Sequence, residues 1–488
     1  MRFNKFLWNL YKSSEEGVKA IERFSENRDF AKDLSLIERY CPDFIKSDEQ
    51  REAICGILED LWIFKVSCRE EKEISTNEAA EIYRNMIDSG FSVGEEAIIK
   101  PEDYTEMVGL VPLLSIELNA WCKDLFFPYL YVNRFYDLKK CADYFEIDIP
   151  EVPKKSDYRG RCLYYWELCL SLDAFRAENK ITMPELCALL YDYAPNLIEK
   201  EDKGTMPPPA QAWFIGGQIK GYGTHWTSGF WQSSTETKKG DILIHYETSP
   251  VSALTCIWTA QVDGVLDPFF KYYSHTYIAD KIDIPKISLK ELQQDEYFCK
   301  HPLVRKKFQG VNGWPVSSED YSELVRMIKA KGFDASQLPV LYAPSLSYGQ
   351  DIQVERDVET KLLEPLLKTM GLEEQKDYIR QLPIHAGRGH RVFPDYALHY
   401  SDKPDEETAR VLIEAKYHMK NNQEIEAAFL QARSYAMLLD SSVIILCDKH
   451  CLLIYEKRQS FDRDRYAKLY WGELEDPDKY NALKNLLQ

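Results

Sequence analysis

Hydrophobic positions change their period twice along this 488-residue chain. Through residues 1–200 apolar side chains recur at helical spacing. SDEQREAICGILEDLW (Ser47 to Trp62) gathers them on one face behind a Ser/Asp start, and TNEAAEIYRNM (Thr76 to Met86) repeats the pattern, so both are expected as amphipathic helices. From Leu110 to Tyr193 the segment is rich in Leu, Tyr, Phe and Trp, punctuated by Pro150 and Pro153. Aromatics at helical spacing are expected to form a helical core rather than a base-stacking surface. EKEDKGTMPPPA, from Glu199, is charged and then Pro-rich, as linkers are. Beyond it the period shortens: GDILIHYE (240–247) and ALTCIWTAQVD (253–263) are β-branched, aromatic and partly alternating, which predicts strands. A further break near Pro339 to Gly349 leads into a segment patterned helix, strand, strand, helix, strand, strand. The expected architecture is multidomain: an α-helical region over 1–205, a β-rich domain over 206–340 and an α/β domain over 345–488.

Composition narrows the classes. Apolar residues make up 45% and charged residues 29%, a globular balance that can bury real cores. No run of 18 apolar residues occurs, so no membrane span is expected. The start, MRFNKFLWNLYKSSEEG, carries charge early and lacks a small-residue cleavage site, so it does not pattern as a signal peptide. Twelve cysteines are scattered without CxxC pairs, Cys447 and Cys451 lying nearest in sequence, and are expected as reduced thiols in a cytoplasmic protein. The net charge of -18 excludes a general nucleic-acid coat. The acidic excess is concentrated in residues 1–200, so any nucleic-acid surface must be local and belongs to the later segments.

The densest chemistry lies in the C-terminal segment. Phe393-Pro394-Asp395-Tyr396 opens a strand, YALHY, and after a charged turn comes RVLIEAK (410–416). Side chains alternate along a strand, so Glu414 and Lys416 share a face, and a hairpin would bring Asp395 beside them. Two converging carboxylates supply the hard oxygen ligands that Mg²⁺ (or Mn²⁺) prefers, making Asp395 and Glu414 the candidate metal ligands, with Lys416 to orient or deprotonate the attacking water and stabilise the oxyanion. Glu355 opens ERDVETKLLEPLLKTMGL, whose Val358, Leu362, Leu363, Leu366 and Leu367 form one apolar face, and Glu359 is a second candidate on the same helix. HAGRGHR (385–391) is Gly-rich and basic, which offers Arg388 and Arg391 to a phosphate backbone. Gln431 and Tyr435 lie four residues apart on one helix face.

These residues, over about 350–457, resemble the PD-(D/E)xK nucleases, particularly the nuclease domain of type I restriction motor subunits and methylation-dependent restriction enzymes. GRGHRVFPDYAL, IEAK and QARSYA, with its Gln-xxx-Tyr spacing, carry the likeness, and VIILCDKHCLLIYE is similar to the family's last hairpin. The resemblance implies metal-dependent cleavage of DNA phosphodiesters, with Glu355, Gln431 and Tyr435 joining the catalytic set.

The middle segment is rich in tryptophan. Trp213, Trp226, Trp231, Trp258 and Trp314 fall there, and GYGTHWTSGFW (221–231) sets two of them among small residues that commonly frame a binding surface. Aromatic faces held apart by a sheet can clasp a flipped-out base. Trp226 and Trp231 are the first candidates for such a pocket, with Trp258, Trp314 and Asp263 behind them, and core burial is the competing expectation for Trp213 and Trp258. Arg305, Lys306 and Lys307 could hold phosphates. Trp213-Phe214, KKGDILIHYE, IWTAQVDGVLDPF and ISLKELQQDEYFCKHPLVRKKFQGVNGWPVSSEDYSELVRMI, over 211–331, are similar to the EVE branch of the PUA-like, β-barrel fold. That resemblance implies a pocket for a modified base.

Together these readings predict a modification-dependent DNA restriction endonuclease in antiphage defence, acting on modified DNA, with no membrane partner and as a possible homodimer. No Walker A pattern occurs, so no ATP-driven translocation is expected. Two alternatives stand beside it: a nuclease triggered by a nucleotide or RNA bound to the middle domain, and a non-catalytic reader of modified nucleic acid.

Overall fold

The computed structural model describes residues 3–25, 75–96, 101–122, 124–129, 135–201, 206–219, 227–344, 351–385, 391–404 and 406–488. The helix expected over Ser47 to Trp62 lies outside the described residues, as do Trp226 and Arg388. The protein is multidomain, with helices and several sheets. It divides into two compact units, one of Met1–Pro207 with Phe214–Trp314, the other of Pro208–Trp213 with Pro315–Gln488. Among the described residues no helix is long and apolar enough to cross a membrane.

The first unit combines a helical layer with an antiparallel sheet. Its helices include Thr76–Glu96, Pro101–Trp121, Phe135–Phe145 and Tyr158–Asn179. The last begins where the Asp157 side chain accepts the Gly160 N–H and ends at Lys180 in the left-handed conformation. Their aromatic stripe is core: Tyr83, Phe126, Phe127, Tyr164 and Tyr165 are fully buried in one cluster. The sheet runs β2 (Gly229–Gln232), β6 (Ser274–Ser288), β4 (Ala253–Ala260), β3 (Ile242–Glu247), β1 (Ala212–Gly217) and β7 (Trp314–Val316), with the short β5 (Val265–Leu266) on β6. Register shifts at His245/Tyr246, Leu254/Cys256 and Ile257/Thr259 bend these long strands, because an extra residue on one strand increases local twist.

Helices and sheet meet at a turn just after β5. Asp267, fully buried, accepts hydrogen bonds from the backbone N–H of Phe269 (2.9 Å), Phe270 (3.1 Å) and Phe135 (3.2 Å), and from His275 Nε2 (2.9 Å). Arg161, equally buried, donates to the carbonyls of Pro268 (2.8 Å), Phe270 (2.7 Å) and Lys155 (3.2 Å). Phe269 and Val265 enter the helical core, so the two layers share one apolar interior.

The second unit is built on a mixed sheet of β15 (Ala467–Tyr470), β14 (Cys451–Glu456), β13 (Val443–Cys447), β12 (Thr408–Ala415), β11 (Tyr396–Ser401) and β8 (Tyr378–Arg380). Only β12 and β13 pair parallel, Glu414 opposite Leu446 and Ala415 opposite Cys447; β11 and β12 form an antiparallel hairpin with Tyr396 opposite Ile413. The alternation of apolar residues covers both faces. Val411, Ile413 and Ala415 pack with Val358, Leu363 and Leu367 of the Glu355 helix, while Leu412, Ile444 and Leu446 pack with Phe429 and Ala432 of the helix Asn422–Leu438. The Glu355 helix passes through one π turn, Glu359–Leu363, before resuming as Glu364–Thr369. β8, β15 and the terminal helix Pro477–Leu487 are additions to the sequence-level pattern.

Candidate functional site

The carboxyl ends of the parallel pair β12 and β13 share one edge of this sheet, and the antiparallel β11 starts there. Ligands of open α/β sheets collect at such ends. Asp395 sits just before β11, and its Oδ2 accepts the backbone N–H of Ala415 at 2.8 Å, which ties the start of one strand to the end of the next. Glu414 and Lys416 project from the same face of β12, as the alternation predicts, and Lys416 Nζ lies 2.9 Å from Glu414 Oε1. Gln431, on the helix Asn422–Leu438, donates to the same Glu414 oxygen and lies 3.3 Å from the Tyr435 hydroxyl.

Glu414 is 2% exposed, and Asp395 is half-buried. Burial pushes the Glu414 carboxyl up to about 7, the charge of Asp395 adds to the rise, and Lys416 works against it. Asp395 is raised by burial, opposed by the Ala415 N–H and Lys416. Burial works against the charge on Lys416, but the hydrogen bond and charge of Glu414, with Glu355 and Asp395 behind them, hold it above its ordinary value. Lys416 is therefore a cation and a donor at neutral pH, not a base. Glu355, exposed at the start of its helix, contributes to this field from a distance.

Glu359, one turn further, is the nearer of the two helix acids to the protein's interior. Burial raises its carboxyl; Arg356 opposes this, and Asp395 and Glu355 reinforce it. It belongs to a cavity of about 260 Å³ lined by Arg356, Glu359, Glu374, Arg380, Gln381 and Asp395. Tyr396 Oη reaches both Glu359 (3.4 Å) and Glu364 (3.1 Å), and Arg380 bridges Glu364 (3.0 Å) and Glu374 (2.7 Å). Sequence reading missed Tyr396, Glu364 and Arg380, whose association depends on the π turn and on β8. Arg391 is exposed in the short strand β10 (Arg391–Val392).

Among the described residues no group of three or more His, Cys, Asp or Glu side chains is arranged as a ready metal cage. The donor set nevertheless fits a hard cation that keeps most of its waters. Burial raises both carboxylates, the charge of Asp395 adds to the rise at Glu414, and Mg²⁺ commonly takes only one or two protein carboxylates besides substrate phosphate.

In the first unit the proposed pocket residues have separate fates. Trp231, on β2, is 8% exposed and meets the His245 ring edge-on at 5.3 Å. Gly217 passes beneath it so closely that a β-carbon there would lie 2.6 Å from the indole. His245 is buried with neither ring nitrogen hydrogen-bonded among the described residues, and burial pushes it down to about 4. Trp258 is fully buried within β4 and offers no open face, so it is core. Trp314 is half-buried, with Lys306 Nζ 5.7 Å above its ring. Asp263 is exposed, accepts the Lys239 N–H at 2.8 Å and lies 3.6 Å from Lys238 Nζ. Arg305, Lys306 and Lys307 are all exposed around the end of the short helix Pro302–Arg305.

No protein-family model matches this chain, and no curated protein matches it. A solution structure of Rpa0253 from Rhodopseudomonas palustris is similar over 25% of this chain and 94% of that one, at 12% identity and a TM-score of 0.21, a likeness too slight to bear on fold or function.

Proposed function

We propose that this chain is a divalent-metal-dependent endonuclease that cuts DNA carrying modified bases, with Asp395, Glu414 and Lys416 as its catalytic core. On this reading the six-stranded unit is a PD-(D/E)xK-type nuclease and the curled sheet of the first unit an EVE-like, PUA-like reader. The observation that carries the proposal is the convergence of two carboxylates raised by burial and a charged lysine at the carboxyl end of β12 and β13.

Asp395 and Glu414 would hold Mg²⁺ or Mn²⁺, whose bound water ionises more readily and whose charge offsets that of the phosphate. Lys416 donates a hydrogen bond toward the attacking water or a non-bridging oxygen, where negative charge grows in the transition state. Gln431, backed by Tyr435, holds the Glu414 carboxylate in place through the same oxygen that Lys416 meets. In the reader, Trp231 and the adjoining His245 form an aromatic wall, and Trp314 with Lys306 offers a second aromatic and cationic contact.

The test is incubation of the protein with Mg²⁺ and two matched phage DNAs, one normal and one carrying modified cytosine, beside a Lys416→Ala control. Cleavage of the modified DNA alone, lost in the variant, is expected. Cutting of both DNAs would remove modification as the gate. Cutting triggered by a free nucleotide, whatever the DNA, would make the sheet a receptor for a signal.

A further inference from the structure

Beyond Lys416 the chain does not leave the site. β12 and β13 end side by side, and the two turns that follow, Lys416–Lys420 and Asp448–His450, are fastened to each other. Asp448 is the fastener: 2% exposed, it accepts the N–H of Met419 (2.9 Å) from the first turn and those of His450 (2.8 Å) and Cys451 (3.1 Å) from its own. Its carbonyl takes the Trp471 indole N–H at 2.7 Å. A buried carboxylate with three backbone donors makes a rigid base.

What this base presents is cationic and aromatic. Lys449 Nζ lies 4.5 Å over the Tyr417 ring and 3.2 Å from its hydroxyl, and the His418 and His450 rings meet edge-on at 4.7 Å. His450 is exposed and the other three are half-buried. Among the described residues no carboxylate pairs with Lys449. In a chain with a net charge of -18, an ammonium preorganised on a phenol ring without a carboxylate partner among the described residues, beside two imidazoles on the turns that follow β12 and β13, forms a surface suited to an anion.

We propose that Tyr417, His418, Lys449 and His450 form a ledge that grips the substrate DNA strand at the nucleotide beside the scissile phosphate, the cationic groups on its phosphate and the rings on its sugar and base. Phosphate contacts of this kind set the register of a nucleic acid without reading its sequence. The ledge rests on the nuclease reading for its substrate but not for its binding. It supplies local positive charge on an acidic chain, and places it where the strand must lie to be cut.

The experiment has two readouts on the full chain. The Lys449→Gln/His450→Gln pair is compared with wild type for KM and kcat on a cleavable duplex, and for Kd on a labelled duplex with Ca²⁺ replacing Mg²⁺. Both KM and Kd are expected to rise about tenfold at moderate salt with kcat within about twofold, and the dependence of log Kd on log salt should become shallower by about one. Lys449→Arg should restore affinity, which separates loss of charge from loss of fold. Unchanged KM and Kd, or a fall in kcat alone, would overturn the ledge. If wild type cuts no DNA the nuclease reading fails, and a tenfold change in Kd would still support the ledge. Binding of an RNA duplex more tightly than DNA, through the same residues, would overturn DNA as its ligand.

Discussion

Asp267 in the first unit and Glu414 in the second are both carboxylates taken out of water, and their surroundings treat them in opposite ways. Asp267 is met by three backbone N–H groups and an imidazole, so both of its oxygens are spent on joining a helix, a turn and a strand. Glu414 has Lys416 and Gln431 on a single oxygen, and burial, with the charge of Asp395 added, pushes it up to about 7. A buried acid whose capacity is filled fixes a structure. One kept buried beside a second acid is destabilised in its charged form, and that is what a metal-dependent site uses.

The comparison can be broken at either end. Asp267→Ala strands three backbone donors and His275 in the interior and should cost about 3–5 kcal/mol, lowering the melting temperature of the first unit by roughly 10 °C in calorimetry. Glu414→Gln should reduce DNA cleavage at least about 100-fold while leaving melting unchanged or raised, since it removes the repelled charge and keeps the side chain's shape. Equal destabilisation by the two substitutions would erase the distinction.

A pH titration sharpens it further. The folded carboxyl of Glu414 sits above its ordinary value, so the folded state holds a proton that the unfolded chain releases near 4.5. Its contribution is complete below that pH and is lost as pH rises toward about 7, with a slope of at most about 1.4 kcal/mol per unit, and Asp395 acts in the same direction. Divalent cation should reverse the loss above pH 7, by about 2.7 kcal/mol at a hundred times its Kd, and Glu414→Gln should abolish that gain. The smallest effect expected is that of Gln431→Ala, about 1 kcal/mol of transition-state stabilisation read as a several-fold drop in kcat, because the carboxylate keeps Lys416.

What was legible in the sequence is local. Alternation along RVLIEAK places Glu414 and Lys416 together, and the heptad-like Leu362, Leu363, Leu366 and Leu367 mark the buried face of the helix led by Glu355. What was not legible depends on residues distant in sequence. Nothing near Arg161 announces that its guanidinium reaches Pro268, 107 residues on, or that Asp267 in VLDPFF caps the helix at Phe135. The π turn Glu359–Leu363, whose first residue shares a cavity with Asp395, leaves no local mark. The tryptophans cannot be sorted by pattern alone: Trp258 and Trp314 each have a lysine over the ring, yet one is sealed in β4 and the other is half-buried.

The most direct measurement is the nicking and linearisation of a plasmid carrying modified cytosine by wild type and Glu414→Gln, with Mg²⁺ and with EDTA. Cutting by wild type in Mg²⁺ alone, absent in EDTA and in a Glu414→Gln chain that melts at the wild-type temperature, is the predicted result. Undiminished cutting by Glu414→Gln, or by wild type in EDTA, would contradict the assignment of this site.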